Sequence, residues 1–323
     1  MRTEAAVEGA ASRLVRIRRE INKVIVGQQD VIDGVLICLL SGGHVLLEGV
    51  PGLGKTTLLR TLARALHLRH SRIQFTPDLM PADIIGSMII ETDERGAKAL
   101  RFQPGPVFAN LVLADEINRA TPKTQSALLE VMDRGKVTID GEAHAVGTPF
   151  MVLATQNPVD YEGTFPLPES QLDRFLMRIR MGYPQAADEL EILRNPHMTY
   201  DSMPLNPVVT REQVLRLQEL VGQVFVEESV LDFVLMIVAA TRTEAEFKAG
   251  ISVRGGVALK RAAQARALLG GRDFVLPEDV LDLVLPVFGH RLALVRPTSD
   301  ALEERNAVAA VLRRILGAIP VPV

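Results

Sequence analysis

Residues 44–57 read HVLLEGVPGLGKTT. The apolar run His44–Leu47 has the character of a short buried strand. It leads into Gly49-x-x-x-x-Gly54-Lys55-Thr56, with a helix expected from about Thr56, which is the spacing of a phosphate-binding P-loop. Gly49, Gly52 and Gly54 permit positive φ and let backbone N–H groups close on phosphate oxygens. The following helix turns its partial positive end toward the same oxygens. Lys55 brings a mobile full charge for the β- and γ-phosphates, and the Thr56 hydroxyl is a ligand type for Mg²⁺. Pro51 and Thr57 lie in the same nucleotide-binding stretch. The expected cofactors are therefore ATP and Mg²⁺.

A second apolar run, Leu111–Ala114, ends in Asp115 and Glu116. In a parallel sheet the carboxyl end of a strand faces the ligand crevice. Asp115 is then placed to hold the metal, and Glu116 to polarise an attacking water. Strand-then-Asp-Glu is a weak motif alone and a specific one downstream of a P-loop. Met151–Thr155 forms a third run that leaves through Gln156 and Asn157. Asn157 can orient the water or contact the γ-phosphate without adding charge, although an Asn at a strand exit is ordinarily a turn residue.

Two arginines complete the candidates. Arg174, in QLDRF (171–175), can stabilise charge on a transferring phosphoryl group, from the same chain or a neighbour, or belong to a structural ion pair. The residues alone leave these readings even. Arg254, in SVRG (252–255), precedes a helix and can reach back to the γ-phosphate, or be an ordinary solvated arginine. The six histidines show no ligand grouping with Cys or carboxylates, so no metal besides Mg²⁺ is expected. No Ser/His/Asp hydrolase arrangement is visible either.

With 323 residues the chain exceeds one typical core, which predicts two domains. Hydrophobic residues at 47% and charged residues at 23% fit a globular protein. Aromatic residues make up 4%, with no Trp, so base stacking has little to work with. A net charge of −3 gives no reason to expect nucleic acid or an anionic membrane as partner. The lone Cys38, inside an apolar run, fits a reducing compartment. The first twenty residues lack a signal-peptide apolar core, and no run reaches the ~18 apolar residues of a membrane span. A cytoplasmic location without membrane insertion is the expectation.

From Ile21 to about Tyr183, strand-like runs alternate with helical patterns, as in a mostly parallel sheet covered on both faces. The strands are expected at 44–47, 71–75, 111–114, 151–155 and 175–181. After Pro184 the apolar period becomes helical, at 186–194, 211–221, 227–240, 256–269 and 277–285. The expected fold is an α/β P-loop domain over 1–185, followed by a small all-helical lid over 186–323. Two hairpins interrupt the first part. One turns at Asp140-Gly141, between 137–139 and 142–146; a looser one joins 88–92 to 97–102.

With these motifs in order, the chain resembles the AAA+ ATPases and, more narrowly, the MoxR family. The stretches that carry the resemblance are VGQQDVI (26–32), LLEGVPGLGKT (46–56), RIQFTPDLMPADIIG (72–86), LADEINRATPKTQSALLEVM (113–132), ATQNPVDYEGTFPLPESQLDRF (154–175) and GRDFVLPEDV (271–280). The resemblance implies that Lys55 and Thr56 belong to Walker A, and Asp115 and Glu116 to Walker B. It implies that Asn157 is sensor 1, Arg174 an arginine finger acting on a neighbour's nucleotide, and Arg254 sensor 2. Val26, Gly27 and Gln28 match the segment beside the adenine. The hairpins near 88–102 and 137–146 match the helix-2 insert and the pre-sensor-1 hairpin. One departure is Val253, where family members often have proline; it keeps the charge of Arg254 but loosens the turn that aims it.

A ring-forming Mg²⁺-dependent ATPase that remodels partner proteins is therefore expected. The resemblance implies a homo-oligomer, six subunits by expectation, and client proteins, often with von Willebrand factor A domains. Two alternatives stand beside it. A nucleotide-gated scaffold would need neither Glu116 nor Arg174. A DNA-acting motor or loader is disfavoured by the acidic charge balance and the scarcity of aromatics.

Overall fold

The apolar runs are strands, and their pairing explains why they carry no polar face. A computed structural model describes residues 2–50, 52–92, 98–157, 164–195, 202–298 and 300–322. In chain order, α1 (Arg2–Ile21) and α2 (Gln29–Leu40) precede β1 (Val45–Glu48), α3 (Lys55–Ala65), β2 (His70–Gln74) and α4 (Pro81–Ile85). Next come β3 (Gly86–Thr92), β4 (Lys98–Pro104), β5 (Leu111–Asp115), α5 (Pro122–Arg134), β6 (Lys136–Ile139), β7 (Glu142–Ala145) and β8 (Met151–Gln156). After α6 (Glu169–Leu172) and β9 (Met177–Arg180) the described elements are helical: α7 (Ala186–Arg194), α8 (Arg211–Val221), α9 (Glu228–Thr243), α10 (Val253–Leu269), α11 (Pro277–Phe288) and α12 (Ala301–Ala318).

The main sheet has five strands in the order β2-β5-β8-β1-β9, and every pair is parallel. Alternate side chains feed two separate cores. Val45, Leu47, Leu111, Leu113, Met151 and Leu153 face one, while Leu46, Val112, Ala114, Val152 and Ala154 face the other. A strand covered on both sides has no position left for a polar residue, hence the unbroken apolar runs. Each of the Val, Leu and Met side chains stabilises the fold by about 1.5–3 kcal/mol relative to exposure. The first core is continuous from α1, α2 and α3 through the sheet face into α8–α12; α5 covers the second.

Because all five strands run the same way, their carboxyl ends share one edge. That edge collects the loop after β1, Asn157 after β8, and Asp115-Glu116 at the end of β5. The two hairpins form outside the sheet, β3 with β4 and β6 with β7. Asp140 and Gly141 turn the second with φ of 50° and 85°, as a two-residue turn matched to strand twist requires. The turn of the first, residues 93–97, lies outside the described residues.

Two helices were not expected from the sequence. In α1, Val7, Ala10, Leu14, Ile17 and Ile21 are buried at three- and four-residue spacing. In α12, Val308, Val311, Leu312 and Ile315 are buried in the same way.

Candidate active site

Gly52 and Gly54 hold φ of 88° and 86°, and a Cβ on either would meet nothing within 4 Å. Glycine is required there by backbone conformation, and the space above stays open. Gly49 is glycine for a different reason, since its Cβ would lie 2.5 Å from the Met181 carbonyl oxygen. Gly54 N-caps α3, so the unpaired N–H groups of that helix's first turn belong to the loop. Loop and strand ends enclose a cavity of about 440 Å³ lined by Gly49, Gly52, Gly54, Lys55, Thr56, Thr57, Arg72, Gln74, Asp115, Glu116 and Asn157. Lys55 folds its ammonium back onto the Gly49 carbonyl. Burial draws its pKa down, opposed by Asp115, Glu116 and Glu48. Pro51 lies outside the described residues.

The two carboxylates are held differently. Asp115 accepts the Thr155 hydroxyl on Oδ1 at 2.6 Å and Arg72 Nη2 on Oδ2 at 2.6 Å. Glu116 sits at φ 57°, a left-handed conformation uncommon for a residue with a Cβ, and its N–H donates to the Thr155 hydroxyl at 2.8 Å. Its Oε2 accepts Gln74 Nε2 at 3.0 Å and Arg119 Nη1 at 2.9 Å. Both carboxylates therefore face the phosphate space with their charge balanced by this chain's own cations. The hard oxygens of Thr56 and Asp115 fit magnesium, and open loop amides with Lys55 fit a polyphosphate. When bound, the metal would neutralise charge on the phosphate oxygens.

A second cavity, of about 520 Å³, continues from the first, with Gly52, Gly54 and Thr57 lining both. Its walls are mainly apolar: Val24, Ile25, Val26, Leu53, Met181, Tyr183, Pro184 and Ile192. An apolar slot joined to a phosphate cradle suits a nucleobase and its ribose. Gln28 lines it and donates to the Gly182 carbonyl at 2.6 Å. Gly27, at φ 67°, lies under the Asp188 side chain, where a Cβ would come within 2.5 Å of the carboxylate. The 26–28 segment thus stands beside this cavity, pinned by Gln28 to the stretch that leaves β9.

Arg174 and Arg254 line neither cavity. The structure brings them together elsewhere, on Asp133 near the end of α5. Arg174 Nη1 lies 2.8 Å from Asp133 Oδ2 and donates to the Leu129 carbonyl at 2.6 Å. Arg254 Nη2 lies 3.2 Å from Asp133 Oδ1, and its Nε is 3.8 Å from Asp173. Arg254 was expected to reach back to its own γ-phosphate; here its guanidinium lies on Asp133 and Asp173. It sits in the first turn of α10, with 59% of its side chain exposed.

Residues 44–177 match the family described as "ATPase family associated with various cellular activities (AAA)", and residues 239–315 match an AAA lid domain. The protein named Chaperone MoxR1 of Mycobacterium tuberculosis (strain ATCC 25618 / H37Rv) is 42% identical over 327 residues, covering 98% of this chain and 85% of its own length. Protein MoxR of Paracoccus denitrificans is 34% identical, covering 94% of each chain. This chain belongs to the MoxR family of AAA+ ATPases. A crystal structure of a candidate ATPase from Cytophaga hutchinsonii superposes with a TM-score of 0.86 at 36% identity, covering 100% of this chain and 98% of that one.

In this MoxR-family chain the partners of the two carboxylates were not singled out from sequence. Arg72 and Gln74 stand two apart on β2, hence on one face, but only the pairing of β2 with β5 sets that face beside Asp115. Thr155 left a fainter mark, as a hydroxyl at the end of an apolar strand. Asp133 left none, since an acidic residue on a helix surface is the commonest solvated feature. Among the described residues no group of three or more His, Cys, Asp or Glu could hold a further metal, and no helix is long and apolar enough to cross a membrane.

Proposed function

We propose that this protein is a Mg²⁺-dependent ATPase that assembles into a ring and uses hydrolysis to remodel partner proteins. The observation that carries the reading is the split between two faces. Lys55, Thr56, Asp115, Glu116 and Asn157 share one cavity, whereas Arg174 and Arg254 stand together outside it. A phosphoryl-transfer site needs cationic stabilisation of the charge that develops on the transferring group. Two arginines that stand outside their own chain's cavity are available to a neighbour's nucleotide. In this reading Thr56 and Asp115 hold the metal, Glu116 activates water and Asn157 positions it. The division into a nucleotide-binding domain, 1–185, and a lid, 186–323, belongs to the same proposal, as does a hexamer.

Client engagement is supported by the first hairpin. Ile90 and Leu100 are cross-strand neighbours, 67% and 68% exposed. An apolar pair on a projecting hairpin is suited to gripping unfolded or partly folded chain. The name Chaperone MoxR1 of the Mycobacterium tuberculosis relative points the same way. Partners with von Willebrand factor A domains remain part of the proposal through family membership alone.

The test is Glu116→Gln. Removing the base while keeping the side chain's size should preserve ATP binding and lower turnover by about a hundredfold or more. Turnover within twofold of the parent would remove Glu116 from the mechanism and favour the scaffold reading.

A further inference from the structure

Asp133 belongs to no motif, yet it is the carboxylate on which both outlying arginines converge. We infer that Asp133 is a positioning residue that yokes Arg174 and Arg254 into one two-guanidinium receptor for the terminal phosphate of the nucleotide bound by a neighbouring copy of this chain. The inference rests on the proposed ring, and deepens it by naming what aims the arginines.

The geometry is that of a presentation device rather than a closed ion pair. Each oxygen of Asp133 takes one arginine, Arg174 through Nη1 and Arg254 through Nη2. The Leu129 carbonyl, one turn earlier on α5, takes Arg174 through the same Nη1. Both tethers come from one helix, and Asp133 lies in its last turn, where the negative end of the dipole favours cations. Among the described residues no hydrogen bond engages Nε or Nη2 of Arg174. That leaves one edge of its fork free for an oxyanion, in the bidentate manner that guanidinium suits.

Arg254 needs the tether for another reason. It lies in the first turn of α10, whose N-terminus is capped by Ser252 and repels a cation. Asp133, assisted by Asp173, holds it there while 59% of its side chain stays exposed. The charges alternate along a chain: Arg174, Asp133, Arg254, Asp173, Arg291. Arg291 is buried, and the rest of its donors go to backbone carbonyls of Leu176, Val287, Asp173 and Phe175. The neighbouring Glu130 and Arg134 pair with each other at 2.8 Å. Three guanidiniums against two carboxylates leave an excess positive charge, and the accessible part of it lies on Arg174 and Arg254. An anion from outside this chain is what the site lacks.

The test uses full-length protein at a concentration where activity per chain has reached its plateau. Asp133→Asn keeps one acceptor oxygen and should lower kcat about tenfold with KM for ATP and affinity for a fluorescent ADP analogue near the parent's. Adding Lys55→Ala subunits, inactive alone but carrying intact arginines, should restore activity to Asp133→Asn, because the defect is delivered to the neighbour. Arg174→Ala mixed with Lys55→Ala is the control. If that control is restored and Asp133→Asn is not, or if Asp133→Asn turns over within twofold of the parent, the role given to Asp133 is wrong. If the control is not restored either, the ring reading itself fails. Asp133→Ala, which keeps no acceptor, should lose more than Asn; an equal or smaller loss would also overturn the inference.

Discussion

Arg72 Nη2 lies 2.6 Å from Asp115 Oδ2, so the carboxylate proposed to serve the metal is already ion-paired. Its other oxygen is taken by Thr155. Both side chains open on the same cavity as Thr56, and half of the Arg72 side chain is exposed. Metal arrival at Asp115 must therefore compete with the guanidinium. An ion pair this exposed is worth about 0.2–1 kcal/mol, which converts to roughly a 1.5- to 5-fold change in an equilibrium. Arg72→Ala should lower by that factor the magnesium concentration that half-saturates turnover at fixed ATP. A titration that superposes on the parent's, or moves to higher magnesium, would show that Arg72 does not guard the site.

The helical part contains a buried pair whose loss should be felt in stability rather than chemistry. Asp279 is 3% exposed and accepts both ends of the Arg272 fork, at 2.6 and 2.7 Å, along with the Leu276 N–H at 2.9 Å. Removing it leaves a part-buried guanidinium without its carboxylate, holding among the described residues only the Phe274 carbonyl, and a helix-start N–H unpaired. Asp279→Ala should lower the free energy of unfolding by about 2–3 kcal/mol, less than a fully buried pair because Arg272 keeps some solvent. Urea unfolding measures it. A loss under about 0.5 kcal/mol would mean the pair is offset by water on removal.

His44 predicts a pH dependence. It is buried, its Nδ1 accepts the Val152 N–H at 3.0 Å, and Nε2 meets the Met132 carbonyl at 3.1 Å. Only the neutral ring donating from Nε2 satisfies both contacts, and protonation would point an N–H at an N–H. Burial draws its pKa down to about 4. The unfolded chain therefore binds the proton first. The contribution of neutral His44 is complete above about pH 6.5 and is lost as pH falls from there toward about 4, on the order of 3 kcal/mol in all. Between pH 7 and pH 5 the parent should lose stability more steeply than His44→Gln. Parallel curves would assign the acid sensitivity to other groups.

Much of this was legible in the sequence because the physics is local. A strand buried on both faces must be apolar throughout, and a loop cradling phosphate must contain glycine where φ is positive; 44–57, 111–116 and 151–157 between them show both. The bounds of α7 and α8 follow from helical period and, for α8, from the Thr210 cap. What stayed hidden depends on neighbours distant in the chain. Gln74 meets Glu116 only because β2 pairs with β5, and Asp133 meets Arg254 across 121 residues. The periods of α1 and α12 are present in the sequence, yet neither helix carries a motif that calls attention to it. The side-chain partners of Arg254 were hidden for the same reason, since Asp133 and Asp173 both lie far from it in the chain.

If Arg174 completes catalysis between subunits, activity must depend on assembly. The direct measurement is ATPase rate per chain across a dilution series in saturating Mg-ATP, with the oligomeric state sized at each concentration. The rate should rise steeply and in step with assembly, and Arg174→Ala should remain flat and low while still assembling and binding nucleotide. An appreciable rate per chain in protein sized as a monomer, unchanged on assembly, would contradict the account.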